Sequence, residues 1–587
     1  MEVLLPVNKG DMKHAGIKQR DSILVTGDAY VDHPSFAHAI ISRYLVAHGY
    51  SVGILAQPDW RKTTAFEVLG RPRLGFLISA GNMDSMVNLY TVNKRRRRQD
   101  MYTPGGKTGK RPERSTTVYA KKIREAYGDI PIIIGGIEAS LRRFAHYDYW
   151  DNDVKPSLLT QSGADILVYG MGEHAIVELA EALDGGLAAR DITYVEGTMY
   201  RAPDLSRVYE YEQLPAYKKV KTDKKAYADA FVRQMHDRKH VLVQQHDDEY
   251  VVQNIPAQPL DQQELDFVYA LPYTRKAHPM YEQAIPALLE VQYSITATRG
   301  CAGACAFCAL YYHQGKDVAW RSEKNIVEEA ADFVKDKDFK GYIHDVGGPT
   351  ANFYGLRCTN PKGRCDTRRC LTPEKCRFLK EDHTKYLHLL RRLRNMKGIK
   401  KVFIRSGIRH DYALLDKSGE FVRELAAYHV SGQLKLAPEH VSPDVLTCMG
   451  KPDIEKYTRF CQKFEAASKR AGKKQYTLPY FMSSHPGSTL MDAVRLAEFI
   501  RDTGFMPEQA QDFYPTPGTL ATCMYYTGFD PLTGKKVYIP KSPEEKEMQR
   551  ALIQYKNPKN RTVVKKALRK ADRDDLIGNS KRSLVRE

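Results

Sequence analysis

Hydrophobic residues near the N-terminus alternate between short continuous runs and longer stretches of helical spacing. The segment SILVTGDAY (22–30) is an apolar run that ends in Gly27 and Asp28, and it predicts a buried strand followed by a turn. Residues 34–50 then place their apolar side chains at helical spacing and stop at a glycine. The next segment, SVGILAQP (51–58), predicts a second strand.

The same pattern returns twice before residue 195. PIIIGGIEAS (131–140) and ADILVYGMGEHAIVELAEAL (164–183) each join an apolar run, a glycine turn and a helical stretch. Such repetition is typical of doubly wound parallel sheets, so we predict an α/β protein with a Rossmann-like N-terminal domain over residues 1–195. Its glycines fit neither a Gly-x-Gly-x-x-Gly turn nor a P-loop.

The pattern loosens over residues 196–285, which we interpret as a connector. HVLVQQHDDEYVVQNIP (240–256) alternates apolar and polar residues around Asp247 and Asp248, and this alternation predicts a β-hairpin.

From residue 286 to 532 the strand and helix patterns alternate again. Helix-like stretches such as NIVEEAADFVKD and TKYLHLLRRLRNM separate six strand-like segments, which cover residues 292–300, 341–355, 400–411, 432–441, 474–488 and 510–519. The remaining residues, 533–587, predict a polar helix and a basic end. We expect this C-terminal extension to be a solvated appendage, with contact to RNA as the alternative.

Length and composition agree with a multidomain globular protein. The chain has 587 residues with 42% hydrophobic side chains, which suggests about three or four structural units. The sequence shows no secretory signal and no apolar run long enough to span a membrane. We therefore expect a cytoplasmic protein, no membrane partner and reduced cysteines, which favours metal or cluster ligation over disulfides.

The net charge of +19 favours an anionic partner such as RNA, and the densest basic run is Lys94–Arg98. A solvated basic surface explains the same charge equally well.

Three cysteines lie within eight positions in TRGCAGACAFCAL (298–310): Cys301, Cys305 and Cys308. They follow a strand-like run, so they lie in a loop beyond a strand, where α/β folds place their chemistry. A structural zinc site needs four ligands, and no second local pair is present. An iron–sulfur cluster held by three thiolates instead leaves one iron open to a small molecule.

The spacing Cys-x3-Cys-x2-Cys, with Phe307 before the last cysteine, resembles the signature of the radical S-adenosylmethionine (SAM) superfamily. With DVGGPTANFYG, KLAPEHVSPDVL, SSHPGST and QDFYPTPGT, nearly the whole chain resembles the YgiQ-type radical SAM proteins. The resemblance implies a partial (β/α)6 barrel, a 4Fe–4S cluster on the three cysteines, and SAM bound at the open iron. It also implies a one-electron reductant and a 5′-deoxyadenosyl radical that removes hydrogen from a C–H bond.

The resemblance further implies cofactor contacts from Phe307, Gly347 and Gly348. Ser406, at a predicted strand end, is a further candidate for cofactor contact or for loop structure. The acid that usually follows the two glycines is replaced by Pro349, so we expect contact through the backbone. Other polar residues at predicted strand ends are candidates for cofactor or substrate contacts or for loop structure: Arg405, Glu439, His440, Ser484 and His485. No catalytic residue is assigned.

A second group of cysteines lies in a loop rich in Arg, Lys and Pro (356–378): Cys358, Cys365, Cys370 and Cys376. Four thiols in nineteen residues are candidates for a zinc site, an auxiliary iron–sulfur cluster or free thiols, and the spacing does not decide among these. Cys448, Cys461 and Cys523 are isolated and are interpreted as ordinary thiols.

The N-terminal domain resembles the cobalamin-binding module of some larger enzymes. The Asp-x-His-x-x-Gly stretch that supplies the usual lower axial histidine is missing, and DAYVDHPSF offers only His33 in another setting. Three functions therefore remain open: a radical SAM enzyme acting on an unidentified substrate, with RNA as the leading class; a cobalamin-assisted methyltransferase; and a non-catalytic RNA-binding protein with a metal or cluster.

Overall fold

The computed structural model describes residues 4–361, 365 and 369–586. It divides into two compact units. One unit takes in the chain up to Thr296, with Tyr312–Gly315 and Arg321–Glu329; the other takes in Ala297–Tyr311, Lys316–Trp320 and the chain from Ala330 onward.

The elements up to residue 296 alternate strands and helices. The strands are β1 (Ser22–Thr26), β2 (Val31–Asp32), β3 (Val52–Ala56), β4 (Gly75–Ser79), β5 (Ile132–Gly135), β6 (His146–Asp148), β7 (Asp153–Lys155), β8 (Ile166–Val168), β9 (Thr198–Ala202), β10 (Tyr211–Gln213), β11 (Val241–His246), β12 (Glu249–Gln253), β13 (Lys276–Ala277) and β14 (Ser294–Thr296). The α-helices are α1 (Lys9–His14), α2 (Ala37–Ala47), α3 (Ser85–Leu89), α4 (Ser115–Tyr127), α5 (Gly136–Leu141), α6 (Leu158–Ser162), α7 (Glu173–Asp184), α8 (Tyr217–Thr222), α9 (Lys224–His236), α10 (Gln262–Ala270) and α11 (Pro286–Val291).

The elements after residue 296 have shorter strands. The strands are β15 (Thr298–Arg299), β16 (Ala319–Trp320), β17 (Tyr342–Ile343), β18 (Asp345–Gly347), β19 (Arg357–Cys358), β20 (Leu379–Lys380), β21 (Lys401–Val402), β22 (Gln433–Glu439), β23 (Tyr476–Ser483) and β24 (Gln511–Asp512). The α-helices are α12 (Ala309–Gln314), α13 (Glu323–Lys335), α14 (Thr384–Arg394), α15 (His410–Ala413), α16 (Glu420–Glu424), α17 (Pro443–Met449), α18 (Ile454–Arg470), α19 (Leu490–Thr503), α20 (Leu520–Thr527), α21 (Pro543–Ile553) and α22 (Arg561–Lys570).

A nine-stranded sheet organises the first unit, in the order β10-β11-β12-β9-β8-β5-β4-β1-β3. Strands β3, β1, β4, β5 and β8 are parallel, as the repeated strand, turn and helix pattern predicts. The predicted hairpin is β11 and β12, which pair antiparallel. Strands β9 to β12 come from the predicted connector, so this segment completes the sheet rather than only linking two domains.

The turns after β1 and β4 are closely packed against each other. A Cβ on Gly27 would lie 2.3 Å from Ala80 O, and one on Gly81 would lie 2.2 Å from Asp28 Oδ1. The Asp28 carboxylate pairs with Arg111 at 2.6 Å, and both side chains have no exposed surface. Buried charges need partners of this kind, so the space at these two turns is occupied by a buried ion pair.

In the second unit, strands β22, β23 and β24 are parallel neighbours, and β17 pairs in parallel with β21. Helices α14, α18 and α19 bury apolar faces, which follow from their helical spacing. This alternation confirms the predicted α/β class, in which the carboxyl ends of parallel strands carry the site.

The C-terminal extension is not a solvated appendage. Helices α21 and α22 bury Met548, Leu552, Val564 and Leu568 in one core with α19 and Phe481 of β23. The expectation was wrong because the basic residues of α22 lie on its outer face, while its apolar residues recur at i, i+3 and i+4. None of the helices in the described ranges has both the length and the apolarity to cross a membrane.

Candidate active site

The loop of the first three cysteines begins where β15 ends. Gly300 has a left-handed φ of 78°, and a Cβ there would lie 1.9 Å from Asp317 O, so glycine is required. Cys301 follows and is buried, with its Sγ 3.5 Å from Thr350 Oγ1. The strand end thus places the first thiol inside the second unit.

The rest of the loop is fixed by backbone hydrogen bonds. Ala306 donates its N–H to Met449 O and accepts from the N–H of Ala521, both at 2.9 Å. Cys308 donates its N–H to Cys305 O at 3.2 Å. Helices α17 and α20 therefore hold the segment between the second and third cysteines from outside the loop.

The three sulfurs lie within electrostatic range of one another. Burial, and next the charge of Cys305, raises the pKa of Cys301 above its usual value and that of Cys308 to about 12. Arg409 Nη1 lies 3.5 Å from Cys305 Sγ, and two hydrogen bonds of 2.8 Å join the guanidinium to Asp411. The pKa of Arg409 is raised, against burial, by Asp411 and then by Cys305 and Cys301.

This donor set fits a cluster that carries negative charge. Three thiols supply the ligands that iron–sulfur clusters use, and the guanidinium offsets charge on them. Across residues 4–361, 365 and 369–586, no three Cys, His, Asp or Glu side chains converge closely enough to hold a single metal ion. A cluster is larger than one ion, so its thiolates stand farther apart.

Gly347 and Gly348 are required by close packing within the chain. A Cβ on Gly347 would lie 2.4 Å from Ser406 Oγ, and one on Gly348 would lie 2.3 Å from Thr298 Oγ1. The carbonyl of Gly347 accepts the N–H of Ala297 at 2.6 Å. Thr298 Oγ1 is buried and has no hydrogen-bond partner in the part of the chain that the structure describes.

Asp345 fixes the loop that faces the glycine pair. Its carboxylate accepts the N–H groups of Arg405 at 2.8 Å and Ser406 at 3.0 Å, and the Ser406 hydroxyl also donates to it. Burial raises the pKa of Asp345. The Ser406 hydroxyl proton is thus already donated within the chain. In the predicted contact with the cofactor, the Ser406 oxygen would therefore act as a hydrogen-bond acceptor.

Phe307 packs against a buried histidine. The Phe307 and His485 rings are 5.8 Å apart in an edge arrangement, and His485 also packs on Phe513 at 4.9 Å. His485 Nδ1 lies 2.8 Å from Pro486 O, and burial lowers the pKa of His485 to about 3, so the ring is neutral. Its Nε2 is buried without a partner among the described residues and is an acceptor when Nδ1 donates.

Two of the predicted strand-end residues have left-handed backbones. Glu439 ends β22 with φ of 69°, and Ser484 follows β23 with φ of 62°. Such strain in residues other than glycine is concentrated at ligand sites. Glu439 lies 3.8 Å from Lys451, and burial raises the pKa of Glu439. Burial lowers the pKa of His440 to about 4.

The second cysteine group is described at all four sulfurs, although residues 362–364 and 366–368 of the same loop lie outside the described residues. All four are free thiols, as are the other six cysteines of the chain.

Sequence reasoning did not single out Arg409, Asp411 and Asp345. Arg409 and Asp411 end the predicted strand segment 400–411, and Asp345 precedes the two glycines. Their positions at predicted strand ends were therefore the feature by which the sequence could have indicated them. Only the fold shows which of these charged residues contacts a thiol.

Comparison with known proteins supplies the family. Residues 4–294 match the radical SAM N-terminal family, residues 295–500 the radical SAM superfamily, and residues 508–587 a domain of unknown function. A UPF0313 protein of Clostridium perfringens is 56% identical over 592 residues, which cover 99% of this chain and 89% of the relative. A UPF0313 protein of Clostridium botulinum is 53% identical over 589 residues, covering 99% and 91%. The chain belongs to the UPF0313 family of radical SAM proteins.

Membership in the UPF0313 family confirms the YgiQ-type resemblance. The chain is a radical SAM enzyme of unidentified specific reaction, and its family implies a 4Fe–4S cluster, SAM and a reductant.

Among solved structures, TsrM of Kitasatospora setae, a radical SAM methyltransferase with cobalamin and a 4Fe–4S cluster bound, is 14% identical with a TM-score of 0.47. The match covers 94% of this chain and 100% of TsrM. A likeness of this level bears on neither the cofactors nor the substrate of the present chain.

Proposed function

We propose that this UPF0313 protein binds its 4Fe–4S cluster through Cys301, Cys305 and Cys308 and cleaves SAM reductively to activate a C–H bond. The observation that carries the proposal is the grouping of the three thiols in one loop, with the buried guanidinium of Arg409 3.5 Å from Cys305 Sγ. The absence of a fourth cysteine in the loop leaves one iron for the cofactor.

Unpartnered polar atoms beside the thiol loop support a site for SAM. Thr298 Oγ1 lies against Gly348, and His485 packs on Phe307, yet neither Thr298 Oγ1 nor His485 Nε2 has a partner in the described chain. Buried polar groups normally have hydrogen-bond partners, so a polar ligand is expected here. Phe307 would supply an apolar wall, and Gly347 and Gly348 would present backbone groups.

The chain's own part in the reaction is to hold the cofactors and exclude water. When bound, the reduced cluster and SAM supply the electron transfer that yields methionine and a 5′-deoxyadenosyl radical. Ala302 and Ala306 are buried on the thiol loop, so solvent is kept from its backbone. Arg409 remains positively charged beside Cys305 throughout.

His33, the histidine that the sequence offers as a lower axial ligand of cobalamin, does not fit that role. His33 Nδ1 lies 3.0 Å from the N–H of Ser35, and its Nε2 lies 2.8 Å from Arg275 Nη1. Both ring nitrogens are thus engaged, and the turn at Asp28 is filled by its ion pair with Arg111. We expect no cobalt after reconstitution with hydroxocobalamin, and the cobalamin-assisted alternative has no support from these residues.

Nucleic acid as the substrate class stays a prediction supported by the net charge of +19. Part of the basic run is engaged within the chain, since Lys94 Nζ donates to Trp150 O and Arg96 pairs with Glu113, both at 2.9 Å. Salt-dependent retention of bulk RNA by the purified protein tests this class.

The proposal is tested by anaerobic reconstitution followed by dithionite, SAM and an assay for 5′-deoxyadenosine. We expect wild type to form 5′-deoxyadenosine, and Cys301→Ala, Cys305→Ala and Cys308→Ala each to form none. Cys461→Ala, a half-buried thiol outside both groups, is the matched control and should retain activity. Formation of 5′-deoxyadenosine by a triad variant would overturn the ligand assignment, and its absence in wild type would overturn the proposed reaction.

A further inference from the structure

Strands β17 and β21 expose one face at their first residues. Tyr342 pairs with Lys401 in the parallel register, so their side chains lie on the same side of the sheet. The Tyr342 ring stacks on Phe403 with 6.4 Å between the ring centres, and Lys400 Nζ lies 5.9 Å from the centre of the Tyr342 ring. Tyr342 is 41% exposed, whereas Ile343 on the opposite side is buried. This face therefore presents an exposed aromatic ring beside two lysines.

Strands β22 and β23 also expose one face. Gln433 pairs with Tyr476, and Lys435 pairs with Leu478. Tyr476 is 55% exposed and Lys435 is exposed, while Leu434, between the two exposed positions of β22, is buried. An exposed tyrosine and an exposed lysine thus again lie on one side of neighbouring strands.

The chain that follows α16 joins β21 to the segment that leads into β23. His429 Nδ1 lies 2.8 Å from Val402 O of β21. Ala426 O accepts a hydrogen bond of 3.3 Å from Lys473 Nζ, three residues before β23 begins. Tyr428 of the same segment is 47% exposed. The starts of β21 and β23 are therefore neighbours, and a third exposed tyrosine lies beside them.

The segments that form this surface carry only positive formal charge. Residues 394–402, 428–436 and 466–477 contain four, one and four Lys or Arg residues, and no Asp or Glu. Two of these nine basic residues pair with acids outside the segments. Lys401 and Lys435 have no ion-pair partner in the part of the chain that the structure describes. Unpaired lysines of this kind attract an anionic partner.

The exposed tyrosines narrow the class of that partner. The lysines by themselves would suit any anionic molecule, including an acidic protein. Bases of a single-stranded nucleic acid stack on aromatic side chains, while basic residues attract its phosphates. The bases of a duplex are paired and stacked on one another, so they are not free to stack on tyrosine. Three exposed rings among lysines therefore favour single-stranded RNA.

We propose that the exposed tyrosines and unpaired lysines at this end of the strands dock single-stranded RNA. The basic tyrosine surface consists of Tyr342, Lys401, Tyr428, Lys435 and Tyr476. This inference rests on the proposed function, because it assigns a chemical class to the unidentified substrate. Lys401 and the candidate cofactor contact five residues later, Ser406, are at most about 18 Å apart along the chain. RNA bound to Lys401 is thus within reach of the proposed SAM site.

Binding of a fluorescein-labelled, 12-nucleotide single-stranded RNA to the full-length reconstituted protein tests the surface. Fluorescence anisotropy is measured without dithionite, so that the result does not depend on cleavage of SAM. We expect Lys401→Gln/Lys435→Gln to raise the dissociation constant about tenfold or more at about 0.1 M salt, and to reduce the salt slope by about 1.4. Lys18→Gln/Lys121→Gln removes two exposed lysines of the first unit and should bind RNA as wild type does.

Variants of the tyrosines separate RNA from an acidic protein. Tyr342→Leu/Tyr476→Leu keeps the charge and the apolar bulk but removes two stacking rings, and it should weaken RNA binding at least about fivefold for each ring. Tyr194→Leu/Tyr209→Leu, at exposed positions of the first unit, is the matched control. A duplex of the same sequence should bind to the wild-type protein less tightly than the single strand, and this comparison needs no variant.

The proposal is overturned if wild type does not bind the single strand, if it binds the duplex as tightly, or if the control variants lose as much affinity as the surface variants. Loss of binding in the lysine variant with no loss in the tyrosine variant would also overturn it, because the surface would then suit an acidic partner without bases. Formation of 5′-deoxyadenosine is assayed separately. RNA binding without it would contradict the proposed reaction alone, whereas 5′-deoxyadenosine formation without RNA binding would overturn the surface alone.

Discussion

Arg409 is a buried arginine that contacts a sulfur of the proposed cluster site. Its guanidinium lies beside Cys305 Sγ and is oriented by two hydrogen bonds to Asp411. A fixed positive charge stabilises the reduced form of a cluster more than the oxidised form, because the reduced form carries one more negative charge. We therefore infer that Arg409 is a positioning residue that raises the reduction potential.

Replacing Arg409 by glutamine should lower the reduction potential of the cluster. A shift of about 60 mV corresponds to a tenfold change in a one-electron equilibrium, so we expect 5′-deoxyadenosine formation to slow about tenfold or more. An EPR-monitored redox titration of Arg409→Gln measures the shift. Arg409→Lys keeps the charge but loses the planar fork, and it should show a smaller shift.

The stability of these variants separates charge from structure. Arg409→Gln leaves Asp411 buried without its partner, at a cost of about 3–5 kcal/mol in the free energy of unfolding. The double variant Arg409→Gln/Asp411→Asn removes both charges and should recover most of that stability. If the double variant also recovers the wild-type potential and rate, Arg409 has a structural role only.

At the scale of single residues, the sequence identified the thiols and missed their partner. The spacing of Cys301, Cys305 and Cys308 is local, so the chemistry is visible in eight positions. Arg409 lies about a hundred residues away, and only the packing of the turn after β21 brings it to Cys305. Contacts of this kind depend on tertiary structure and have no local pattern.

At the scale of elements, strand β18 meets the turn after β21 without space for a side chain. Gly347→Ala would place a Cβ 2.4 Å from Ser406 Oγ, and overpacking of this kind costs about 1–3 kcal/mol. We expect a lower melting temperature and reduced incorporation of iron at the first site. Thermal unfolding and iron analysis of the reconstituted protein measure both.

The same turn provides a matched control for this clash. A Cβ on Gly407 would meet no atom within 4 Å, so Gly407→Ala should melt close to wild type. Adding Ser406→Gly to Gly347→Ala removes the contacted side chain and should restore part of the stability. A Gly347→Ala protein as stable as Gly407→Ala would contradict the predicted clash, because the strand and the turn would then move apart without loss of stability.

The C-terminal helices show where composition misled and periodicity did not. The basic residues of α22 suggested a solvated end, yet Val564, Ala567 and Leu568 have the spacing of one buried helix face. Gln549 of α21 accepts the N–H of Ser484 at 3.0 Å, so this helix also supports the left-handed residue after β23. The charge of α22 belongs to its exposed face, whereas the spacing of its apolar residues predicts the face that packs against the core.

At the scale of the whole molecule, the order of elements was predictable and their pairing was not. The five parallel strands of this sheet, β1, β3, β4, β5 and β8, each carry a continuous apolar run, so their existence follows from the sequence. The antiparallel addition of β9 and β12 at the edge of that sheet depends on contacts between distant segments. The predicted connector was for this reason not recognised as part of the sheet.

Buried histidines should make the second unit sensitive to acid. Burial lowers the pKa to about 3 or 4 at five of them: His383, His410, His429, His440 and His485. Each is neutral in the folded chain but takes up a proton on unfolding below about pH 6.5. The free energy of unfolding should therefore fall as the pH falls from about 6.5 to about 4, by up to about 1.4 kcal/mol per histidine and pH unit.

Thermal unfolding of the full-length protein at pH 7.5, 6.5 and 5.5 measures this dependence. His429 Nδ1 lies 2.8 Å from Val402 O, and the amide of glutamine can donate to the same carbonyl, so His429→Gln should melt at a temperature that depends less on pH. His14→Gln, at an exposed position on α1, should follow wild type. A melting temperature that is constant from pH 7.5 to 5.5, or equal slopes for wild type and His429→Gln, would contradict the assignment of this acid sensitivity to buried neutral histidines.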